Sequence, residues 1–282
     1  MSVAQGPRHI WLCADDYGIS PAVNAGIREL IERGRLNATS VMMAAPSISR
    51  EEADALARLN SPEKRCAIGL HLTLTGPFRP LSDSFVPLRD GRFLPNTQKM
   101  RKAMLRRLQP RLLAREIAAQ LRAFSDTFGR APDFVDGHQH VHLMPQVREA
   151  LLQVVAERAP SAWVRQCGRA RGARRFRDAK ALTLDVLSVG IRSAAARKGI
   201  RLNPAFAGAY DFNTKTPFAK LFPRFLDGLP EGGLVMCHPG HVDKELQALD
   251  PLTQQREREW QYFNSDQFPR DLAAHNLALA QP

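Results

Sequence analysis

HIWLCADD, residues 9–16, is a short apolar run that ends in two acids. A continuous apolar stretch of this length fits a buried strand, here one that delivers carboxylates at its C-terminal end. Ser20 and Pro21 follow as an N-cap and a proline at the first helical position. Val23, Ile27, Leu30 and Ile31 then recur at helical spacing, and Gly34 supplies a stop. The same strand-then-helix unit repeats outward. Residues 38–46 (ATSVMMAAP), 66–74 (CAIGLHLTL), 133–143 (DFVDGHQHVHL), 162–167 (AWVRQC) and 232–240 (GGLVMCHPG) read as strands, and 206–212 as extended. Residues 50–60, 112–128, 145–158, 179–198 and 218–226 read as helices, with 266–280 as a closing helix. Such alternation predicts an α/β fold with mostly parallel strands, open or closed into a barrel.

The chain has 282 residues, a length that suits one α/β domain or two small ones. Residues 76–107 are rich in Pro, Gly and Arg and interrupt the alternation, which resumes after them; this predicts a lid-like excursion rather than a linker. No apolar run approaches the roughly 18 residues of a spanning helix. The N-terminus lacks a basic stretch followed by a long apolar one, so a cytoplasmic protein without a signal peptide is expected. Cys13, Cys66, Cys167 and Cys237 form no CxxC pair and are expected to be free thiols in a reducing compartment.

Net charge is +12, concentrated in two stretches. Residues 101–130 carry eight Lys/Arg against two Asp/Glu, and residues 165–201 carry eleven against two. Solvated helix faces are the expectation for both. Neither aromatic interleaving nor a nucleic-acid motif accompanies the charge, so nucleic acid is not an expected partner. Attraction of an anionic substrate or surface remains compatible with it.

In parallel α/β folds chemistry collects at the C-terminal ends of strands. Four predicted strands end in polar groups here: Asp15 and Asp16, His71, Asp136 with His138, and His238. The fold would bring these distant segments to one rim. Adjacent residues on a strand point to opposite faces, so Asp15 and Asp16 can share a site only where the strand turns, and Gly18 fits such a turn. His138, His140 and His142 would lie on one face of an extended segment. Imidazole ligates zinc, nickel, copper and iron, and some of these rings would coordinate while others contact substrate. One Asp and two His around a divalent ion leave positions open for water and substrate, the pattern of a hydrolase. His238, with an ordinary pKa near neutrality, is a candidate proton donor. His241 reads as surface, and His9 and His275 lie near the termini.

Four ordered motifs, ADDYGIS-PAVNAGI, GLHLTLTG, FVDGHQHVHLMPQV and VMCHPGHVD, resemble the YdjC-like (ChbG/HpnK) carbohydrate deacetylase family. The resemblance spans roughly residues 8–275. It implies a distorted (β/α) barrel in a single domain. It also implies Asp15 as general base, Asp16, His71 and His138 as metal ligands, and His238 as general acid. Many relatives carry DSHHHVH; here Gly137 replaces the serine and Gln139 the middle histidine, changes that bear on substrate contacts, for which His140 and His142 are the candidates. The basic stretch from Arg165 to Lys198 departs from the family pattern.

The expected activity is hydrolytic removal of an acetyl group from an amino-sugar, a short N-acetylated oligosaccharide or a lipid-linked amino-sugar, with one divalent metal ion, magnesium or zinc. Two imidazoles favour zinc or another transition metal over magnesium. A metal-dependent phosphoesterase and a non-catalytic binding protein are the alternatives. A homodimer is compatible with the sequence.

Overall fold

A computed structural model describes residues 6–60, 66–170, 179–212 and 215–280. Its first half runs β1 (Arg8–Tyr17), α1 (Pro21–Glu32), β2 (Ala38–Val41), α2 (Arg50–Arg58), β3 (Ala67–Leu72), β4 (Leu88–Arg89), β5 (Arg92–Phe93), α3 (Asn96–Met104), α4 (Pro110–Phe128) and β6 (Phe134–Gly137). A 3-10 segment (His138–Leu143) leads into α5 (Val147–Arg158), β7 (Trp163–Val164), α6 (Ala179–Ala196), β8 (Phe206–Ala207) and α7 (Phe218–Leu226). The chain closes with β9 (Leu234–Cys237), α8 (Lys244–Leu249), α9 (Gln254–Asn264), α10 (Gln267–Ala274) and β10 (Leu277–Leu279).

Eight strands form one parallel sheet in the order β7-β6-β3-β2-β1-β9-β8, with β10 alongside β1. Its two edges meet. Val164 bridges Leu202, and the Phe206 N–H donates to the Gly168 carbonyl at 3.0 Å. The sheet therefore curls into a distorted (β/α) barrel. Every residue of β2, β3, β6 and β9 is buried, which is why these strands read as continuous apolar runs rather than alternating ones. Helices cover the outside. Ser20 caps α1, its hydroxyl accepting from the Val23 N–H, and Val23, Ile27, Leu30 and Ile31 are buried as the spacing requires. Gly129, at φ 69°, ends α4 in the left-handed conformation that a side chain disfavours.

The structure departs from the sequence reading in two places. Residues 133–143 do not continue as a strand. After Gly137 the chain tightens into 3-10 turns in which Gln139 and His140 hold left-handed backbone (φ 52° and 59°), so the three histidines do not share a face. Residues 266–280 do not form one closing helix. α10 ends at Ala274, Asn276 turns at φ 53°, and β10 pairs with the start of β1. Asn37 holds this addition: its side chain accepts from the Leu12 N–H and donates to the carbonyls of Ile10 and Ala280 (2.7–2.9 Å). The excursion contains the antiparallel β4–β5 pair and α3, with Phe85, Phe93 and Lys99 buried.

Register positions the site. Ala14 lies opposite both Thr39 and Cys237, His71 opposite Asp136, and Val135 opposite Val164. Because the strands are parallel, Asp15, Ser40, His71, Asp136, Arg165 and His238 leave the sheet at one end.

Candidate metal centre

Asp15 and Asp16 both reach the site because β1 bulges at its tip. Ala14 pairs with Thr39 and Tyr17 with Val41, so β1 carries one residue more than β2 between the two pairings. Asp16 takes up the extra length at φ 71°, a backbone state that costs an ordinary residue energy and recurs at functional positions. The turn expected at Gly18 thus begins two residues earlier, on an aspartate.

Asp16, His71 and His138 offer ligand atoms all within 4.8 Å of one another, and all three are buried. Asp16 Oδ1 lies 3.2 Å from His71 Nε2 and 2.9 Å from His138 Nδ1. Its other oxygen accepts from Arg256 Nη2 at 2.7 Å, and the same guanidinium group bonds Asp250 at 2.8 Å. Burial works against a charge on Asp16, but His138 and Arg256 outweigh it and hold the carboxyl well below the ordinary range. His71 is oriented from behind: its Nδ1 lies 2.6 Å from Asp136 Oδ1 and 3.0 Å from Ser40 Oγ, which leaves Nε2 for the cluster. Burial opposes charge on this ring too, yet Asp136 and Asp15 raise it to about 10. The donor set fits a divalent cation. Two imidazole nitrogens converge on one carboxylate oxygen, and one of those rings already has the carboxylate partner behind it that orients metal-bound histidines.

A second group, Cys13, Asp15 and Asp136, also has ligand atoms within 4.8 Å of one another. Arg165 fills it. Its two terminal nitrogens donate to the two oxygens of Asp15 at 2.7 Å each, and Nη2 also reaches Asp136 Oδ2 at 2.5 Å and Cys13 Sγ at 3.0 Å. This is the forked geometry in which guanidinium groups bind carboxylates best. Burial raises the Asp15 carboxyl above its ordinary value despite Arg165 and His71, whereas Arg165 and His71 keep Asp136 low.

His238 leaves β9 beside β1. Its backbone N–H donates to Glu259 Oε2 at 2.6 Å, the Tyr210 hydroxyl donates to Glu259 Oε1, and the Phe212 ring stands edge-on to the imidazole at 5.4 Å. Burial pushes Glu259 up to about 7. Phe78, from the 76–107 excursion, stands edge-on to His138 at 5.8 Å.

His140 is half-buried, with Nδ1 3.6 Å from Cys167 Sγ. His142, expected against the substrate, has no exposed surface. Its Nε2 bonds the Arg165 carbonyl at 3.0 Å, and burial drives it down to about 3, so it stays neutral and faces the interior. A Cβ at Gly137 would come within 3.0 Å of His142 Nδ1, so the inward turn of this ring leaves little room for a serine there. The basic stretch is likewise not all solvated surface: Arg165 is completely buried, while Arg192, Arg197 and Lys198 are exposed and residues 171–178 lie outside the described residues.

The sequence reading does not anticipate Arg165, Arg256 or Glu259. Arg165 carries a signal, a charged residue inside an apolar strand segment. Arg256 and Glu259 sit in QQREREWQYFN, whose polarity reads as a surface helix. All four cysteines are free, as expected, and all four are buried. No helix of the described residues is long and apolar enough to cross a membrane.

Comparison with known proteins places this geometry in company. The sequence model of a family described as YdjC-like protein matches residues 9–274. A carbohydrate deacetylase of Geobacillus stearothermophilus is 29% identical over 277 residues, covering 97% of this chain and 96% of the relative. A chitooligosaccharide deacetylase of Klebsiella pneumoniae (strain 342) is 30% identical over 240 residues, 83% of this chain and 82% of the relative. The crystal structure of an Enterococcus faecalis V583 protein, suggested there to cleave cellobiose-phosphate, superposes with a TM-score of 0.71 at 22% identity, over 98% of this chain and 97% of the other.

Proposed function

The chain belongs to the YdjC-like family, and from that premise we propose that it is a metal-dependent carbohydrate deacetylase that hydrolyses the N-acetyl group of an amino-sugar. The observation that carries this reading is the single carboxylate oxygen of Asp16 flanked by His71 and His138, with Asp15 held beside it by Arg165. Asp16, His71 and His138 would hold one divalent ion, and the two imidazoles favour zinc or a similar transition metal. When bound, the ion supplies Lewis-acid polarisation of the acetyl carbonyl and lowers the pKa of water.

The chain's own residues supply the proton transfers. Asp15 takes the proton of the attacking water. Its carboxyl is raised by burial, which brings a base closer to working pH, and the Arg165 fork fixes its direction. Asp136 and Ser40 hold His71 in one orientation. His238 gives a proton to the departing amine, its position set by Glu259 through the backbone. His142 has a positioning role behind the site, and His140 remains the substrate-facing histidine. A cavity of about 700 Å³ includes Phe212, Lys215, Thr216, Arg258 and Gln261 in its lining. Phe212 also stands edge-on to His238, and neither His238 nor the residues of the metal cluster line this cavity. Arg165 in the second cluster supports a one-ion over a two-ion reading, and so a deacetylase over a phosphoesterase. A cytoplasmic location fits the four free thiols.

Metal analysis of purified protein, followed by acetate- and phosphate-release assays over N-acetylated mono- and disaccharides, tests the proposal. Acetate release that disappears on chelation and returns with zinc is the expected result. Acetate release untouched by complete metal removal, or phosphate release alone, overturns it.

A further inference from the structure

α6 turns an apolar stripe to solvent. Leu182, Val186 and Val189 are 60%, 65% and 61% exposed. They recur at i, i+4 and i+7 and so share one helix face. The opposite face anchors the helix: Leu184, Leu187, Ile191, Ala194 and Ala195 join the core, and the Ser188 hydroxyl accepts from the Cys167 N–H at 3.0 Å. The stripe is therefore not needed to hold α6 in place.

Its surroundings are cationic. Between residues 181 and 198 the chain carries Arg192, Arg197 and Lys198 against one acid, Asp185. That acid is half-buried and paired with Arg169 at 2.6 Å. Arg192, Arg197 and Lys198 are exposed, and Arg197 Nη1 donates to Ser193 Oγ at 2.8 Å, one turn beyond Val189 on the same face. The cations thus gather at the C-terminal end of the apolar stripe, and an exposed apolar stripe beside Lys and Arg, with its one acid paired, suits a helix that lies against a lipid interface.

We propose that α6 docks this protein on an anionic lipid surface, with Leu182, Val186 and Val189 entering the boundary between headgroups and acyl chains and the cations facing lipid phosphates. A second copy of the chain is the poorer occupant, because pairing two α6 helices would crowd like charges in a protein of net charge +12. α6 packs against the 3-10 segment that bears His138, so docking would hold the rim of the barrel close to the bilayer. The inference rests on the surface alone and stands apart from the reaction proposed above.

Flotation of the full chain with phosphatidylcholine vesicles containing about 30% phosphatidylglycerol, beside pure phosphatidylcholine vesicles, tests it. Binding to the anionic vesicles that weakens as salt rises is expected. A Leu182→Ser, Val186→Ser, Val189→Ser triple variant should bind about tenfold more weakly or worse, and an Arg192→Gln, Arg197→Gln, Lys198→Gln variant should lose the preference for anionic lipid. An unchanged thermal midpoint checks that the serine variant still folds; if it does not, the glutamine variant decides alone. The proposal is overturned by absence of flotation at low salt or by equal binding of wild type and folded variants. It is also overturned by a wild-type dimer that does not float and that the serine variant dissociates.

Discussion

The tip of β1 serves two clusters that look alike as lists of donors. Cys13, Asp15 and Asp136 lie on one side, Asp16, His71 and His138 on the other, and both trios are buried with ligand atoms within 4.8 Å. The first contains Arg165, whose guanidinium group bonds both oxygens of Asp15 and forms an ion pair with Asp136. In the second, Arg256 takes only the outer oxygen of Asp16 and leaves the inner one facing two imidazoles. Proximity of donors is thus not enough to define a metal site. A covalently tethered cation has claimed one cluster, and the other is the one proposed to hold a diffusible ion. The two buried carboxylates of the first cluster would be costly without a cation, which Arg165 supplies, whereas in the second Arg256 neutralises Asp16 from its outer oxygen and does not occupy the space between the inner oxygen and the two rings.

Substitutions on the two sides should separate retention of the ion from its use. Asp16→Ala and His138→Ala should reduce bound metal to background and acetate release below detection, read by metal analysis and a product assay on the same preparations. On the other side, Asp15→Asn should keep the metal and lose turnover by roughly 10²–10⁴-fold, the usual worth of a positioned base. The contrast breaks if Asp15→Asn loses its metal as well, since Asp15 would then belong to the ion rather than to Arg165.

Arg165→Met sharpens the contrast further. Removing the guanidinium group strands Asp15 and Asp136 in the interior, and breaking a buried pair this way costs about 3–5 kcal/mol. Denaturant unfolding measures the loss. If zinc restores the stability of this variant in proportion to a second bound equivalent, the vacated cluster has become a metal site. If the variant is as stable as wild type, the guanidinium group was not neutralising the two acids.

How much of this was legible in the chain follows from where each residue's signal lies. The strand tips announced themselves, because an apolar run ending in Asp15-Asp16, His71 or His238 is visible without knowing the fold. The parallel sheet followed from the alternation, and α1 from Ser20, Pro21 and the spacing after them. Period two predicts a histidine face only if the strand continues past Gly137; left-handed Gln139 and His140 turn His138 toward Asp16 and His142 inward, and neither residue type by itself requires such a backbone. β10 leaves little trace in the sequence, because LAL is too short to distinguish from the end of a helix and its place depends on Asn37, more than two hundred residues away. Arg256 and Glu259 face inward from a helix whose apolar residues, Trp260, Tyr262 and Phe263, all lie in its second half, so no apolar stripe marks the buried face of its first half.

Glu259 gives the smallest expected effect and the most specific one. It touches neither cluster's donors directly, but it accepts from the His238 N–H and the Tyr210 hydroxyl, with Arg256 and Asp15 the other charges that act on it. Its carboxyl, pushed up to about 7 by burial, binds a proton in the folded state that the unfolded chain releases at lower pH. The stability it contributes is therefore complete below the ordinary carboxylate range and is lost as pH rises through about 7. Positioning should run the other way, because the charged form accepts both hydrogen bonds more strongly. Wild-type turnover should accordingly rise between about pH 6 and 8, whereas thermal stability should fall from the ordinary carboxylate range up to about pH 7 and level off above it. Glu259→Gln should lower turnover about tenfold, leave metal content unchanged and flatten both dependences. If the variant keeps the wild-type limb in turnover, that limb belongs to Asp15 or His238, and Glu259 holds the β9 tip without governing the proton transfer beside it.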